Sequence, residues 1–228
     1  MRPLLLASRS PGKLRELLPL LGAEGLRAET LCDAAIPEDS AEDGIEVFDT
    51  FEANALAKAR WFSAIVPGRA VLADDSGLVV DALQGRPGVA SKRWSNRPDL
   101  AGTALDEANN AMLLAALDTR GERDARTPAT ARYLCAAACV WPGGERVVSA
   151  ETAGRIVTAS RGTQGFGYDP YFLSDELGKT FGEATLAEKG RVSHRARAFR
   201  ALLVALRPML LATPENLSWK VDRTGGSG

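Results

Sequence analysis

The chain has 228 residues, of which 28 are Lys or Arg and 29 are Asp or Glu, so its formal net charge is −1. A nearly balanced charge argues against a protein that binds nucleic acid by neutralising many phosphates, because such proteins carry a basic excess. The hydrophobic fraction of 45% and the charged fraction of 25% are those of a globular chain that can bury a sizeable core, as one large domain or two small ones.

The first half of the chain alternates short apolar runs with amphipathic segments, which predict strands and helices in turn. Ser10 followed by Pro11 is typical of an N-cap with proline in the first helical turn, and Gly22 is suited to ending that helix. The elements predicted for this half are a strand at 3–7, a helix at 11–22, a strand within 25–31, an irregular acidic loop at 37–46, a helix that begins at about Thr50 and ends by Pro67, and two strands at 70–73 and 77–83 with a turn at 73–77 between them.

A predicted hairpin dominates the second half. Residues 130–141 and 146–159 are long strands, and Pro142-Gly-Gly-Glu145 between them favours a turn, because glycine supplies the positive φ that such turns need. The other predicted elements are a helix at 99–117, a polar connector at 118–128, a glycine-rich loop at 161–169, a short strand at 171–173, a turn at 178–179 and a final helix at 193–210. Early alternation combined with an antiparallel hairpin predicts an α/β fold with a mixed sheet, and residues 213–228 are expected to form a flexible tail.

The cysteines and the N-terminus indicate a cytoplasmic location. Three cysteines, an odd number, argue against a disulfide scaffold, and Cys135 and Cys139 lie in an apolar run that is typical of buried thiols. The apolar run at residues 4–7 is too short for a signal peptide or a membrane span. We therefore expect a reducing compartment and no membrane partner.

The segment Ser8-Arg9-Ser10-Pro11-Gly12-Lys13 joins the first predicted strand to the first helix. Backbone N–H groups at a helix start favour anions, and Lys13 adds a cation there, so the segment is suited to phosphate. It lacks the glycine spacing of a P-loop, and an ordinary capped helix has the same pattern. Phosphate binding and simple capping both stay open at this point.

Asp74 and Asp75 are adjacent carboxylates that are followed by Ser76 and a glycine. Such a pair is costly to bury without a cation. Oxygen ligands of this kind suit Mg²⁺, which is usually held by one or two carboxylates, several waters and substrate phosphates. The alternative is a turn in which the aspartates cap neighbouring backbone groups.

The segment Gly165-Phe-Gly-Tyr-Asp-Pro170 places aromatic residues between glycines. Phe166 can offer a flat face while the backbone approaches closely, and Asp169 can accept a hydrogen bond from a base edge. A tight loop with packed aromatics is the alternative.

The segment Glu188 to Arg195 collects the only histidine of the chain, His194, with Lys189 and Arg195. Together these side chains can form a donor-rich patch for a carbonyl oxygen or a phosphate. A structural histidine at a helix start is the alternative. Jointly, the four segments describe a nucleoside triphosphate site with Mg²⁺.

The chain resembles the inosine-triphosphate pyrophosphatase family, which hydrolyses non-standard purine nucleoside triphosphates such as ITP, dITP and XTP to the monophosphate and pyrophosphate. The resemblance runs from about Leu4 to Leu206, although the family usually has Asn where Ser10 stands. The motifs that carry it, in the family's order, are LASRSPGKLREL, TFEANALAKAR, ADDSGLVVDALQGRPGV, RGTQGFGYDPYF, GKTF and EKGRVSHRARA. It implies one elongated α/β domain over residues 1–212, with two lobes and the nucleotide cleft between them, and a cytoplasmic homodimer whose partners are small nucleoside triphosphates.

The resemblance also implies roles for individual residues. Asp75 would bind Mg²⁺ and act as the base or orient the attacking water, supported by Asp74 and Lys13. The second metal ligand would be Glu46, while Glu38 and Glu42 stay open. The residues implied to bind substrate are Ser8, Arg9, Ser10, Pro11, Gly12, Lys13, Ser76, Phe166, Gly167, Tyr168, Asp169, Lys189, His194 and Arg195.

Two other functions stay open. The opening LASRSPGKLRELL also resembles that of the Maf-type pyrimidine triphosphate pyrophosphatases, although the arginine of their SPRR pattern is absent at Gly12-Lys13. A nucleotide sensor without catalysis could use the same pocket, but Asp74 and Asp75 argue against it, because a mere binder would gain from fewer carboxylates beside a triphosphate.

Overall fold

The computed structural model describes residues 3–121 and 127–211, and its strands form one mixed sheet. The strands are β1 (Leu4–Leu6), β2 (Ala28–Thr30), β3 (Val71–Val80), β4 (Ala129–Trp141), β5 (Gly144–Ile156) and β6 (Phe172–Ser174). Their order across the sheet is β2-β1-β3-β4-β5-β6. β1 is parallel to β2 and β3, whereas the other neighbours are antiparallel. The predicted α/β class with a mixed sheet is confirmed.

Five α-helices occur in the described residues. They are α1 (Pro11–Ala23), α2 (Phe51–Ile65), α3 (Gly102–Thr119), α4 (Leu186–Val192) and α5 (His194–Leu211). α1 begins as predicted, because the Ser10 hydroxyl accepts a hydrogen bond from Lys13 N at 3.4 Å. α4 was not predicted, although Thr185 and Glu188 form the reciprocal capping box that marks its start.

The predicted break at 73–77 is wrong. β3 continues from Val71 to Val80, and Asp74 and Gly77 both pair with residues of β4. Asp74 and Asp75 therefore both lie inside the strand, where an adjacent carboxylate pair is costly to bury without compensation. Ion pairs and hydrogen bonds from both sides of the sheet compensate for burying them.

The two faces of the sheet are covered by different helices. On one face, Leu4, Leu6 and Leu72 belong to a core cluster with α1 and α5. On the other face, Leu5, Val71 and Ala73 belong to a cluster with α2. Because successive strand residues point to opposite faces, Asp74 faces α1 and α5 while Asp75 faces α2.

The predicted hairpin is confirmed as β4 and β5, which pair from Ala129 with Ile156 to Trp141 with Gly144. Cys135 and Cys139 are buried free thiols, as predicted. In the two described ranges, no helix has the length and apolar character needed to cross a membrane. The predicted tail at 213–228 lies outside the described residues, and the two-lobe organisation stays a prediction.

Candidate active site

The Asp74 carboxylate lies at the centre of a buried ion-pair cluster. Its Oδ2 is 3.0 Å from Lys13 Nζ and 3.3 Å from Arg195 Nε, and the residue is 0% exposed. Burial disfavours the charged form, but the Lys13 ammonium and the Arg195 guanidinium outweigh it and hold the pKa of Asp74 well below its ordinary value. Asp74 is therefore an ionised carboxylate that joins a cation of α1 to a cation of α5.

Arg195 connects this pair to Glu16, a residue that sequence reasoning missed. The guanidinium donates through Nη2 to Ser76 Oγ at 2.8 Å and through Nη1 to the Glu16 carboxylate. Glu16 Oε1 also lies 2.6 Å from Lys189 Nζ. The spacing of three residues from Lys13 to Glu16 puts both on one face of α1, and this is the signal that would have found Glu16.

Lys189 is 3% exposed and forms a second ion pair, with the buried Asp169. Burial disfavours the ammonium, but Asp169 and Glu16 outweigh it and raise the pKa of Lys189 above its ordinary value. Asp169 also accepts hydrogen bonds from Phe166 N at 2.8 Å and from the Tyr133 hydroxyl at 3.4 Å. Its carboxylate thus fixes the start of the segment Gly165–Pro170, called the aromatic loop below.

His194 lies at the first position of α5 and is 2% exposed. Its ring stacks on Tyr133 with centroids 4.6 Å apart and 8° between the planes. Burial, followed by the charges of Arg195 and Lys189, holds the pKa of His194 well below its ordinary value. The imidazole is therefore neutral at pH 7, and its buried Nδ1 has no hydrogen-bond partner among residues 3–121 and 127–211.

The Phe166 ring covers the cations Lys189 and Arg195. Its centroid is 5.1 Å from Lys189 Nζ and 5.5 Å from Arg195 Cζ, distances at which a ring face attracts cations. The ring also packs on the start of α1, where a Cβ added at Gly12 would lie 2.5 Å from Phe166 Cδ1. Gly12 is therefore needed for close approach.

The next two residues of the aromatic loop are differently placed. Gly167 has a φ of +63° and is bonded through both backbone groups to α3. Tyr168 is buried in a core cluster, where its hydroxyl donates to the Ser91 carbonyl at 2.8 Å. Tyr168 thus anchors the loop, whereas Phe166 stands over the charged side chains.

Asp75 lies on the opposite face of β3, beside α2. Asn54 Nδ2 donates to Asp75 Oδ2 at 2.9 Å, and the Asn54 amide is itself held by both backbone groups of Phe48. Burial raises the pKa of Asp75, Lys13 opposes this shift, and the Glu46 carboxylate raises the pKa further. Sequence reasoning missed Asn54, which is a polar residue on the buried face of α2.

Glu46 pairs with Lys58, which sequence reasoning also missed although it lies four residues after Asn54 on α2. Lys58 lowers the pKa of Glu46 against the effect of burial. The other two candidate glutamates act elsewhere: Glu42 binds Arg9, and Glu38 acts electrostatically on Arg9. The charge of Glu46 also acts on Asp75.

Arg9 faces the acidic loop. Its guanidinium binds the Glu42 carboxylate at 2.7 and 3.1 Å and the carbonyls of Ile36 and Pro37 at 3.0 and 2.7 Å. Ser8 is buried, and its hydroxyl accepts from Ser10 N at 3.3 Å. Within the segment Ser8–Lys13, Lys13 thus contacts Asp74, whereas Arg9 contacts the acidic loop.

Comparison with known proteins decides the family. A model of the Ham1 family matches residues 4–205. The chain belongs to the Ham1 family. It is 48% identical over 207 residues to the dITP/XTP pyrophosphatase of Frankia alni, covering 90% of this chain and 97% of the relative. It is 46% identical over 217 residues to the protein of that name from Mycolicibacterium paratuberculosis, covering 93% and 99%.

Solved structures of Ham1 proteins share the fold. A HAM1 protein from Coxiella burnetii matches with a TM-score of 0.74 at 30% identity, covering 91% of this chain and 100% of that one. A nucleoside-triphosphatase described as a dITP/XTP pyrophosphatase, from Mycobacterium abscessus, matches with a TM-score of 0.63 at 42% identity, covering 89% and 99%. The resemblance inferred from the motifs is confirmed.

Two acidic residues of this Ham1 chain have the oxygen ligands that Mg²⁺ prefers. Within residues 3–121 and 127–211, no three His, Cys, Asp or Glu side chains form a ready metal cage. Asp75 and Glu46 nevertheless lie close enough for the charge of one to raise the pKa of the other. Two carboxylates completed by waters and phosphate oxygens are a usual Mg²⁺ arrangement, so Asp75 and Glu46 are the residues that suit the ion.

Proposed function

We propose that this chain hydrolyses non-standard purine nucleoside triphosphates, namely ITP, dITP and XTP, to the nucleoside monophosphate and pyrophosphate. The proposal rests on one observation: two adjacent carboxylates of strand β3 have different partners. Asp74 meets the cations Lys13 and Arg195 on one face of β3, while Asp75 lies near Glu46 on the other. The names of the Frankia and Mycolicibacterium relatives support the same activity.

The proposed reaction is attack of water on the α-phosphorus. The new bond joins the water oxygen to the α-phosphorus, and the bond from the α-phosphorus to the oxygen that bridges to the β-phosphorus breaks, so that pyrophosphate leaves. Asp75 orients the water and accepts its proton, for which the raised pKa of this carboxyl is suited. Lys13 stabilises the charge that develops on the phosphate oxygens.

Asp75 and Glu46 would hold Mg²⁺, which when bound would neutralise phosphate charge and help to position the triphosphate. Asn54 fixes the Asp75 carboxylate through Oδ2, because its own amide is held by the Phe48 backbone. Lys58 pairs with Glu46 and so limits the mutual repulsion of the two carboxylates.

The proposed base pocket lies under Phe166, with Lys189, His194 and Arg195. Hypoxanthine and xanthine present an acceptor oxygen at position 6, where adenine presents an amino donor. The N–H groups of Lys189 and Arg195 that their carboxylate and hydroxyl partners do not take up would donate to this oxygen and would lack a partner against adenine. Rejection by unpaired polar groups reaches about 10⁴- to 10⁵-fold. Guanine shares the oxygen, so its exclusion needs a separate contact with its 2-amino group.

The decisive experiment measures pyrophosphate released by the full chain with Mg²⁺ from ITP, XTP, GTP, ATP, dTTP and UTP. We expect ITP and XTP to be preferred. Preference for dTTP or UTP would move the chain to the Maf-type activity, and binding of ITP without turnover would make it a nucleotide sensor. A cytoplasmic homodimer is part of the proposal and is tested by sedimentation and by localisation of a tagged chain.

A further inference from the structure

Two side chains of α3 hold the aromatic loop from outside the ion-pair cluster. Gly167 N donates to Asp106 Oδ2 at 2.8 Å, and the Gly167 carbonyl accepts from Asn110 Nδ2 at 3.0 Å. Asp106 and Asn110 are four residues apart on α3, so one helix face holds both backbone groups of a single residue. None of the motifs that carry the family resemblance lies in α3.

The held residue, Gly167, directly follows Phe166 in the aromatic loop, so its backbone conformation contributes to the direction of the Phe166 ring. Gly167 has a φ of +63°, in the left-handed region that glycine adopts readily and most residues avoid. A Cβ at this position would meet nothing within 4 Å, so the conformation, and not lack of space, calls for glycine. The preceding residue, Phe166, is fixed by its own N–H on Asp169 and by the packing of its ring on Gly12.

We propose that Asp106 and Asn110 are positioning residues for the nucleobase, because by holding Gly167 they keep the Phe166 ring where a purine stacks. This inference rests on the proposed function, in which Phe166 covers the base. Neither residue belongs to the ion-pair cluster or to the carboxylate pair of β3. Their loss should therefore affect nucleotide binding more than the chemical step.

Three substitutions separate the hydrogen bonds from side-chain size. Asn110→Asp replaces the donor that faces the Gly167 carbonyl by an acceptor in a nearly equal volume, and Asn110 is buried, so water cannot readily restore the bond. Asp106→Ala removes the acceptor of the Gly167 N–H. Asp106→Asn keeps a side-chain oxygen that can accept the same bond and is the rescue variant.

We expect Asn110→Asp and Asp106→Ala to raise the KM for ITP roughly 10-fold, with kcat within about threefold of wild type, since a buried hydrogen bond left unmade has about this effect. Asp106→Asn should stay within about threefold of wild type in both constants. Hydrogen exchange of the Gly167 amide should accelerate about 10-fold or more in Asp106→Ala, and this readout does not depend on activity.

Asn109→Asp is the matched control, because it is the same substitution at the neighbouring position of the same helix. Asn109 is buried and bonds to Lys92 O at 3.0 Å and Ser95 N at 2.8 Å, and within the described residues it makes no hydrogen bond to the aromatic loop. It should lower the melting temperature while leaving the KM for ITP unchanged.

An equal rise in KM in Asn109→Asp would overturn the proposal, as would wild-type KM and exchange in Asn110→Asp and Asp106→Ala. If the wild-type chain released no pyrophosphate from ITP, the proposed function would fail and the assignment to the base with it. The exchange of the Gly167 amide would then still show whether α3 holds the loop.

Discussion

Because of His194, the free energy of unfolding should fall in mild acid, and the substitution His194→Gln should remove this dependence. The imidazole is buried against Tyr133, and the charges that act on it include those of Arg195 and Lys189. The Asp74 carboxylate favours protonation but does not overcome burial and these cations. Protonating His194 in the folded state is therefore strongly disfavoured.

The size of the effect follows from the linkage between proton binding and unfolding. The pKa of His194 lies well below its ordinary value in the folded chain, while the unfolded chain has a histidine pKa of about 6.5. Below that pH the unfolded state binds the additional proton, so stability falls as the pH falls, by up to about 1.4 kcal/mol per pH unit. Between pH 6.5 and 5 this amounts to roughly 1.5 to 2 kcal/mol.

The assay is urea unfolding of the wild type and of His194→Gln at pH values from 7 to 5. Gln keeps a polar side chain that does not titrate, so the wild type should lose about 1.5 to 2 kcal/mol more than the variant over this range. Any constant cost of the substitution cancels in that difference. His194 is the only histidine, so its ring resonance in the NMR spectrum can be followed without ambiguity and should not titrate down to pH 5. Equal pH slopes in the two proteins, or a ring that titrates near pH 6.5, would show that the folded chain accommodates protonated His194.

Three further predictions concern the reaction. Asp75→Asn should lower kcat for ITP by at least about 100-fold, because it removes the proposed base. The melting temperature should stay within a few degrees, because the side-chain volume is kept. A folded variant with near-normal turnover would exclude Asp75 from that role. Gly12→Ala should raise the KM for ITP about 10-fold, since the new methyl group would collide with Phe166, whereas Gly22→Ala in the same helix, where a Cβ meets nothing within 4 Å, should leave KM unchanged. Removing Mg²⁺ with EDTA should stop pyrophosphate release and adding it back should restore the rate; full activity in EDTA would contradict the assignment of Asp75 and Glu46 to the metal.

Local signals predicted some elements well because the interactions that start those elements are local. The start of α1 follows from a hydroxyl at Ser10 and a proline at the next position, both within one turn. The hairpin follows from two long strands on either side of a glycine-containing turn.

The length of β3 depends on contacts with residues that are distant in the sequence. β3 runs through Asp74 and Asp75 because cations of α1 and α5 reach one carboxylate and an amide of α2 reaches the other. Those partners are up to 121 residues away in the chain, so a reading of neighbouring residues placed a turn there. Charge compensation across the sheet, and not local propensity, sets the length of this strand.

The motifs predicted part of the candidate site, namely the aromatic loop and the cations Lys13, Lys189 and Arg195. Glu16 and Asn54 were missed because each was read as an ordinary helix position, although both lie within the quoted motifs. Arg9 is predicted to bind substrate, and its guanidinium lies at the acidic loop, where Glu42 and two carbonyls bind it. Side-chain direction within a short segment is set by the surrounding packing, which a motif does not record.

In the proposed reaction, water attacks the α-phosphorus of a non-standard purine nucleoside triphosphate. The most direct test is to hydrolyse ITP with the full chain and Mg²⁺ in water enriched in oxygen-18, and to analyse the products by mass spectrometry. Attack at the α-phosphorus should give inosine monophosphate that carries one labelled oxygen, together with unlabelled pyrophosphate. Label in the pyrophosphate, or release of orthophosphate with inosine diphosphate, would contradict it.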